Sequence, residues 1–386
     1  MTVTTTAATT VDVSEEALAA LTERLAETAA QYDLTGEFPW AGVQAAHEAG
    51  VLRIGIGAEY GGPELSLTDQ ARVLVALGAG DASVALIAAQ TISQHTLQAG
   101  LKFWPEDLYE EVVASTYERP ILLNAVRAEP EWGAPARGGL PATTVTRVEG
   151  GWVLNGHKAF ATASEGLAYH LVWAVEHTPD GPRVAHAIVP GDAPGIEIVK
   201  TWDHLGLRAS STHDVIYTDV LLPEDHFAGQ IVTAITNDGV REARIAVSFV
   251  ALYVGVARAA QDFLVRFAHD RVPTSLGRPI ATTERIQTVV GEVEAQLVQA
   301  EGLLYGLTRR VDAGIPVPAK EALVLKVLIT RSAIAAVQTA VAAIGNPGLT
   351  RSNPLERHLR DVLCARVHPP QEDAALLNLG KAVLGL

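Results

Sequence analysis

The feature that most constrains this chain is a change of hydrophobic period that occurs twice. In the first third, apolar residues recur at helical spacing: Leu18, Leu21 and Leu25 follow Ser14, a residue suited to capping, and Glu15 and Glu16, which the helix dipole favours in a first turn. A second helix is expected over about 39–49, ended by Gly50, and an Ala/Leu-rich stretch over about 66–99 predicts one or two buried helices. Near Pro120 the pattern shortens. Thr144-Val145-Thr146, Gly150-Gly151 and Trp152-Val153-Leu154 read as a hairpin with a glycine turn, and 170–175, 185–189 and 215–220 as further strands. From about residue 230 the helical period returns and holds almost to Leu386, with turns at 272–273, 314–318 and 345–354. The expected fold class is therefore α+β, mostly helical. The expected segments are a disordered tail over 1–13, a helical domain over 14–119, an antiparallel β domain over 120–228 and a helical bundle over 229–386.

Charge and cysteine content remove several function classes. A formal net charge of −15 argues against a nucleic-acid surface, which needs clustered Lys and Arg. With Cys364 as its one cysteine, the chain has no internal disulfide or cysteine metal site; no metal is expected. The Thr-rich beginning lacks the basic and apolar segments of a secretory signal. The most apolar run, 245–257, lies between Arg244 and Arg258 and is shorter than the roughly 20 residues of a membrane span. A cytoplasmic protein without membrane contact is the expectation.

Several local signatures fall in order along this frame. They are Tyr60-Gly61-Gly62; Glu129-Pro130; Trp152, Asn155-Gly156 and Lys158; Phe160-Ala161-Thr162; Leu205-Gly206-Leu207-Arg208-Ala209-Ser210; Arg271 followed by Gly277-Arg278-Pro279-Ile280; and Arg360-Asp361. Together they resemble the acyl-CoA dehydrogenase superfamily over nearly the whole chain from about residue 14. The resemblance implies an acyl-CoA dehydrogenase fold: an N-terminal helical domain, a central antiparallel β domain and a C-terminal four-helix bundle. It also implies a flavin lying between the last two. Thr162 would hydrogen-bond flavin N5, and Phe160 would replace a family tryptophan packed on the ring. Arg271 matches a family arginine that holds the FAD pyrophosphate, although a plain surface charge is an equal reading. The next family phenylalanine is Leu276 here, and the family's Gly-Gly-x-Gly loop reads Gly345-Asn346-Pro347-Gly348. These changes lean toward FMN while leaving FAD open.

The departures point to a particular branch. The family's dehydrogenases carry a glutamate base shortly after the Arg-Asp pair; that slot falls here at His368-Pro369. An alternative base position on the first bundle helix falls at Ala243. A one-residue shift turns a helical side chain by about 100°, so the neighbouring Glu242 is expected to point elsewhere. The stretch from Glu356-Arg357 through His368 instead resembles flavin-dependent monooxygenases of this fold, of the dibenzothiophene monooxygenase and amino-sugar N-oxygenase kind. These also place a histidine on the N-terminal helices and an asparagine at the entry to the β domain, which His95 and Asn124 match. An imidazole or hydroxyl can donate a hydrogen bond to a reduced oxygen species, whereas an ionised glutamate only accepts. A histidine near its ordinary pKa can also move a proton.

No Gly-x-Gly-x-x-Gly opens a helix after a strand. Gly78-Ala79-Gly80 lies within a helical pattern and reads as helix packing. The expected arrangement is thus two-component: reduced FMN or FAD from a separate flavin reductase, O₂, and a small molecule that is hydroxylated or N/S-oxygenated. The catalytic candidates are His95, His368 and Thr162; the cofactor candidates are Asn124, Phe160, Thr162 and Arg271. An acyl-CoA dehydrogenase or oxidase with a displaced base, and a non-catalytic flavin-binding protein, remain the alternatives. The family implies a homotetramer or homodimer, with which the apolar helix over 323–344 is consistent.

Overall fold

The structure, a computed structural model, describes residues 10–131, 139–227, 238–369 and 371–386. Most of the expected tail, and the junction expected at 228–229, lie outside these residues. The first layer is helical: α1 (Glu15–Thr35), α2 (Trp40–Glu48), α3 (Leu67–Gly80), α4 (Ala82–Leu101) and α5 (Glu106–Ser115). Ser14 Oγ accepts from Ala17 N and caps α1. The long Ala/Leu stretch divides at Asp81, whose carboxylate accepts from Ser83 N and Val84 N and starts α4.

The central layer holds β1 (Leu122–Val126), β2 (Thr144–Val148), β3 (Gly151–Ala161), β4 (Leu167–Thr178), β5 (Gly181–Pro190), β6 (Ile196–Val199) and β7 (His213–Pro223). The hairpin joins Val148 to Gly151 through Glu149 and Gly150, and Gly150 takes a φ of 79°. The sheet is mixed rather than purely antiparallel, because β1 runs parallel to β4. The physical reason is the route of the chain. β1 arrives from α5, and the β2–β3 hairpin intervenes before β4, a connection long enough to bring the chain back in the same direction.

The third layer is α6 (Gly239–Asp270), α7 (Glu284–Asp312), α8 (Ala319–Ile344), the short α9 (Asn346–Leu349), α10 (Leu355–Leu363) and α11 (Glu372–Leu384). α6, of 32 residues, and α8, of 26, are long and apolar enough to cross a membrane, which the shorter apolar run within α6 does not convey. Most of each apolar stretch is instead buried against other helices. α3 and α6 cross where a Cβ on Gly78 would fall 2.0 Å from Leu252 O, and one on Gly255 the same distance from Val75 O. The glycines of Gly78-Ala79-Gly80 thus serve helix packing, and one core runs from the N-terminal helices through the sheet into the bundle.

Candidate active site

His95 is fully buried on α4, on the stripe of Thr91, Gln94 and Gln98. Thr91 fixes that stripe to β1: its hydroxyl accepts from Leu123 N at 3.1 Å and lies 3.4 Å from Leu123 O. His95 Nδ1 lies 2.8 Å from the Tyr109 hydroxyl, while Nε2 is buried without a partner among the described residues. Burial raises the Tyr109 pKa, so its hydroxyl stays protonated, and Nδ1 is the one hydrogen-bond partner of that hydroxyl among the described residues. Tyr109 therefore donates to Nδ1, which assigns the proton of the neutral imidazole to Nε2. The result is an N–H donor that meets no acceptor among the described residues. An unmet buried donor costs about 1–3 kcal/mol, and it fits a ligand that supplies an acceptor.

His368 has a tyrosine partner of the same kind, on α6. Its Nδ1 lies 2.8 Å from the Tyr253 hydroxyl of α6, and its ring sits against Phe249 and Tyr253. The buried Lys326 of α8 donates to Ala365 O and His368 O at 3.1 and 3.0 Å, fixing the turn that carries the imidazole. Although the residue is half-buried as a whole, its ring is enclosed. Burial, with the charges of Lys326 and His204, pushes its pKa down to about 3; burial alone does the same for His95. The expectation of histidines titrating near neutrality is therefore corrected: burial keeps both imidazoles neutral.

Asn124 and Thr162 are brought together, with Asn124 Nδ2 donating to Thr162 O at 2.9 Å. Thr212 donates its hydroxyl to Thr162 Oγ1 at 3.1 Å and lies 2.7 Å from Ser210 Oγ. Thr162 is thus an acceptor within the chain, and its own O–H is left to donate outward. Phe160 stands at a break in β3–β7 pairing with a φ of 55° and 66% of its surface exposed. A bulky residue held in the left-handed region, with its ring unpacked, is a strained platform that fits a planar ligand.

Residues 204–212 join these parts. Leu207 and Ser211 are left-handed there. Asp361 accepts from Leu207 N at 2.7 Å, and Arg360 donates to Leu205 O while pairing with Asp33 of α1 and Glu356 of α10. The Arg-Asp pair is a bolt between loop, first helix and bundle. Gly206 allows the close approach, since a Cβ there would lie 2.3 Å from Arg360 O.

Two candidates fall otherwise. Arg271 is exposed at the C-terminal end of α6, eighteen residues past Tyr253 and so about 27 Å along the helix; it does not join the other candidates within one chain. Glu242 is buried and shares the α6 stripe of Phe249 and Tyr253, seven and eleven residues on. That stripe is the one whose Phe249 and Tyr253 rings flank His368. Tyr109, Tyr253 and Lys326 were not singled out in the sequence, where each reads as ordinary helix content.

The acyl-CoA dehydrogenase N-terminal, middle and C-terminal domain families match residues 9–101, 125–220 and 247–370. A putative acyl-CoA dehydrogenase of Bacillus subtilis, YdbM, is 31% identical over 369 residues, 94% of each chain. The chain belongs to the acyl-CoA dehydrogenase superfamily. Among solved structures, KijD3 in complex with FMN and an amino-sugar nucleotide superposes with a TM-score of 0.80 at 26% identity, covering 99% of this chain and 97% of that one. Butyryl-CoA dehydrogenase of Megasphaera elsdenii gives 0.83 at 22% identity, covering 97% and 98%, a likeness of fold alone. The superfamily is one of flavin oxidoreductases, and this chain's relatives include dehydrogenases by sequence and oxygenase-like proteins by structure.

Proposed function

We propose that this protein is the oxygenase of a two-component flavin-dependent monooxygenase. It takes reduced FMN or FAD from a separate reductase and uses O₂ to hydroxylate or N/S-oxygenate a small molecule. The observation that carries this reading is the buried, unpartnered Nε2–H of His95, supported by the imidazole of His368 in the slot where a dehydrogenase needs a carboxylate. Asn124, Phe160 and Thr162 would hold the flavin ring, with the Thr162 hydroxyl donating toward it and Phe160 packing on its face. Bound reduced flavin would supply two electrons to O₂, so that one oxygen atom enters the substrate and the other leaves as water. The chain's own part is to position and to donate. Tyr109 and Tyr253 fix the tautomers of His95 and His368, and each imidazole presents an N–H without taking on charge. Burial keeps bulk water from His95. A carboxylate in the same slot would repel reduced oxygen and could only accept.

Arg271 is the candidate for a flavin phosphate, contributed from the far end of α6 across a subunit boundary of a homodimer or homotetramer. The reaction takes place in the cytoplasm. In the test, full-length protein is mixed with NADH, O₂, flavin and a flavin reductase, and candidate substrates are screened for oxygen incorporation from ¹⁸O₂. Incorporation is expected only with the reductase present. His95→Ala and His368→Ala are expected to lose roughly 100-fold in coupled oxygenation, the cost of removing one hydrogen-bond donor to developing charge, and to release hydrogen peroxide instead. Full coupled activity in both variants would defeat the roles given to them.

A second reading has its own observation. Glu242 is buried on the stripe whose Phe249 and Tyr253 rings flank His368, and the Bacillus relative bears an acyl-CoA dehydrogenase name. Under it, Glu242 is the base of a dehydrogenase or oxidase. Anaerobic bleaching of bound flavin by an acyl-CoA, abolished in Glu242→Gln, would establish this reading and end the first. Failure to bind flavin in either redox state would leave a non-catalytic protein.

A further inference from the structure

A second set of unmet polar atoms lies on the sheet beyond Asn124. β1 and β4 run parallel with Val126 opposite Val172, so Arg127, the next residue, comes level with Trp173, and Trp173 stands opposite His186 of β5. The Arg127 guanidinium lies over the Trp173 ring at 5.7 Å. Arg241 belongs to the first turn of α6. Arg127 Nε, Arg241 Nε and His186 Nε2 are all buried without a hydrogen-bond partner among the described residues. Burial and the nearby charge of Arg241 lower the Arg127 pKa to about 10, and burial together with Arg127 and Lys158 holds His186 neutral.

What the cluster lacks is a counter-charge. Among the described residues, neither arginine has a carboxylate within ion-pair distance, while Arg147, Arg183, Arg258, Arg310, Arg331 and Arg360 each have one. The nearby carboxylate of Glu129 is taken up by Lys158, Ala142 N and both donors of Thr143. Residues 1–9, 132–138, 228–237 and 370 contain no Asp or Glu, so no undescribed segment can supply one. Arg127 and Arg241 repel one another, and each is half-buried with its Nε enclosed; although Asp238 caps the α6 N-terminus through Val240 N and Arg241 N, an anion arriving from outside would relieve both guanidinium groups.

We propose that Arg127 and Arg241, with His186 beside them, bind an anionic group of the substrate, a carboxylate or a phosphate. The substrate class is then a small acid or phosphate ester rather than a neutral heterocycle. Calling the ligand the substrate rests on the oxygenase reading. Arg127 is three residues along from Asn124, about 10 Å of extended chain, so the anchored group stands apart from the atom that is oxidised.

The test uses flavin-free, full-length protein at low ionic strength, titrated calorimetrically with inorganic phosphate and, separately, with acetate; the anion that binds identifies the group. Saturable binding of one of them is expected, weakened at least tenfold in Arg127→Gln and in Arg241→Gln and unchanged in Arg183→Gln. Without anion, Arg127→Gln is expected to melt above the wild type, because the repulsion with Arg241 and the enclosed, unmet Nε have gone. With saturating anion the order should reverse. No binding by the wild type, or equal binding by all variants, overturns the proposal; so does an Arg127→Gln protein that melts lower in both conditions, which marks a purely architectural arginine. FMN and riboflavin are titrated as a further arm. A loss of FMN affinity in Arg127→Gln, with riboflavin unaffected, would give the pair to the cofactor phosphate and overturn the substrate assignment. Neither reductase nor O₂ takes part, so failure of anion binding and failure of oxygenation are read independently.

Discussion

At the scale of single residues, the decisive property is a neutral imidazole whose tautomer is set by a buried tyrosine. The same pairing occurs at His170 and Tyr217, 2.7 Å apart inside the β domain. A His–Tyr pair is thus a packing device in this chain, and what distinguishes His95 is the orphaned far nitrogen. The neutrality has a measurable consequence. An unfolded chain protonates histidine below about pH 6.5, whereas burial holds folded His95 and His358 near 3 and His170 near 4. Between those values the unfolded state binds more protons, so stability is lost as pH falls from about 6.5 toward 4. His95→Gln is expected to lower the slope of unfolding free energy against pH by up to one proton, roughly 1.4 kcal/mol per pH unit; an unchanged slope in urea titrations from pH 4 to 6 would mean that His95 is charged when folded. His95, Asn124, Thr162 and His368 could be picked out in the sequence because each sits in a quotable motif. Tyr109 and Tyr253 could not. They lie 14 and 115 residues from their histidines, and a tyrosine on a helix is indistinguishable from core. The Arg127–Arg241 pair was hidden likewise, since only the fold brings the two together, without a carboxylate partner among the described residues.

Among elements, the loop over 204–212 depends most on distant partners. Its left-handed Leu207 and Ser211 persist because Asp361 and Arg360 hold it down from α10. Burial raises the Asp361 pKa to about 7 even with the Leu207 N–H bond favouring its charge. Asp361→Ala leaves that N–H without its acceptor and is expected to cost about 1–3 kcal/mol in stability. By loosening the Thr212–Thr162 contact, it should also weaken flavin binding severalfold in a fluorescence titration. Flavin affinity equal to wild type would show that Thr162 does not need the loop. α1 to α4, the β2–β3 hairpin and the long bundle helices were legible because each keeps a single period over many residues. α5, β1 and β6 were not. β6 has four residues, and β1 is a run of Leu-Leu-Asn-Ala-Val buried on nearly every side, so neither offers an alternation to read.

For the molecule as a whole, the order of helical, sheet and helical layers was readable because the hydrophobic period changes twice. The helix expected to accompany subunit assembly is largely covered within the chain itself. The helix over 323–344 buries its apolar residues within its own chain, as part of α8. Exposed apolar side chains gather instead on α11, at Leu376, Leu377, Val383 and Leu384. A homodimer or homotetramer that uses α11 would cover them. Leu377→Glu combined with Leu384→Glu is then expected to shift sedimentation toward the monomer without changing the circular dichroism spectrum. A wild-type monomer would remove both the assembly and the intersubunit role of Arg271.

The glycine contact between α3 and α6 has a bearing on how ligands come and go. With Gly78 and Gly255 each pressed against the opposite backbone, the first and last layers cannot hinge apart without unfolding the crossing. The walls around His95 and His368 are therefore set in place during folding, and the ordering entropy that many enzymes lose when a domain closes over its ligand has already been lost. Selectivity in such a molecule is that of a fixed mould, governed by what can thread into it.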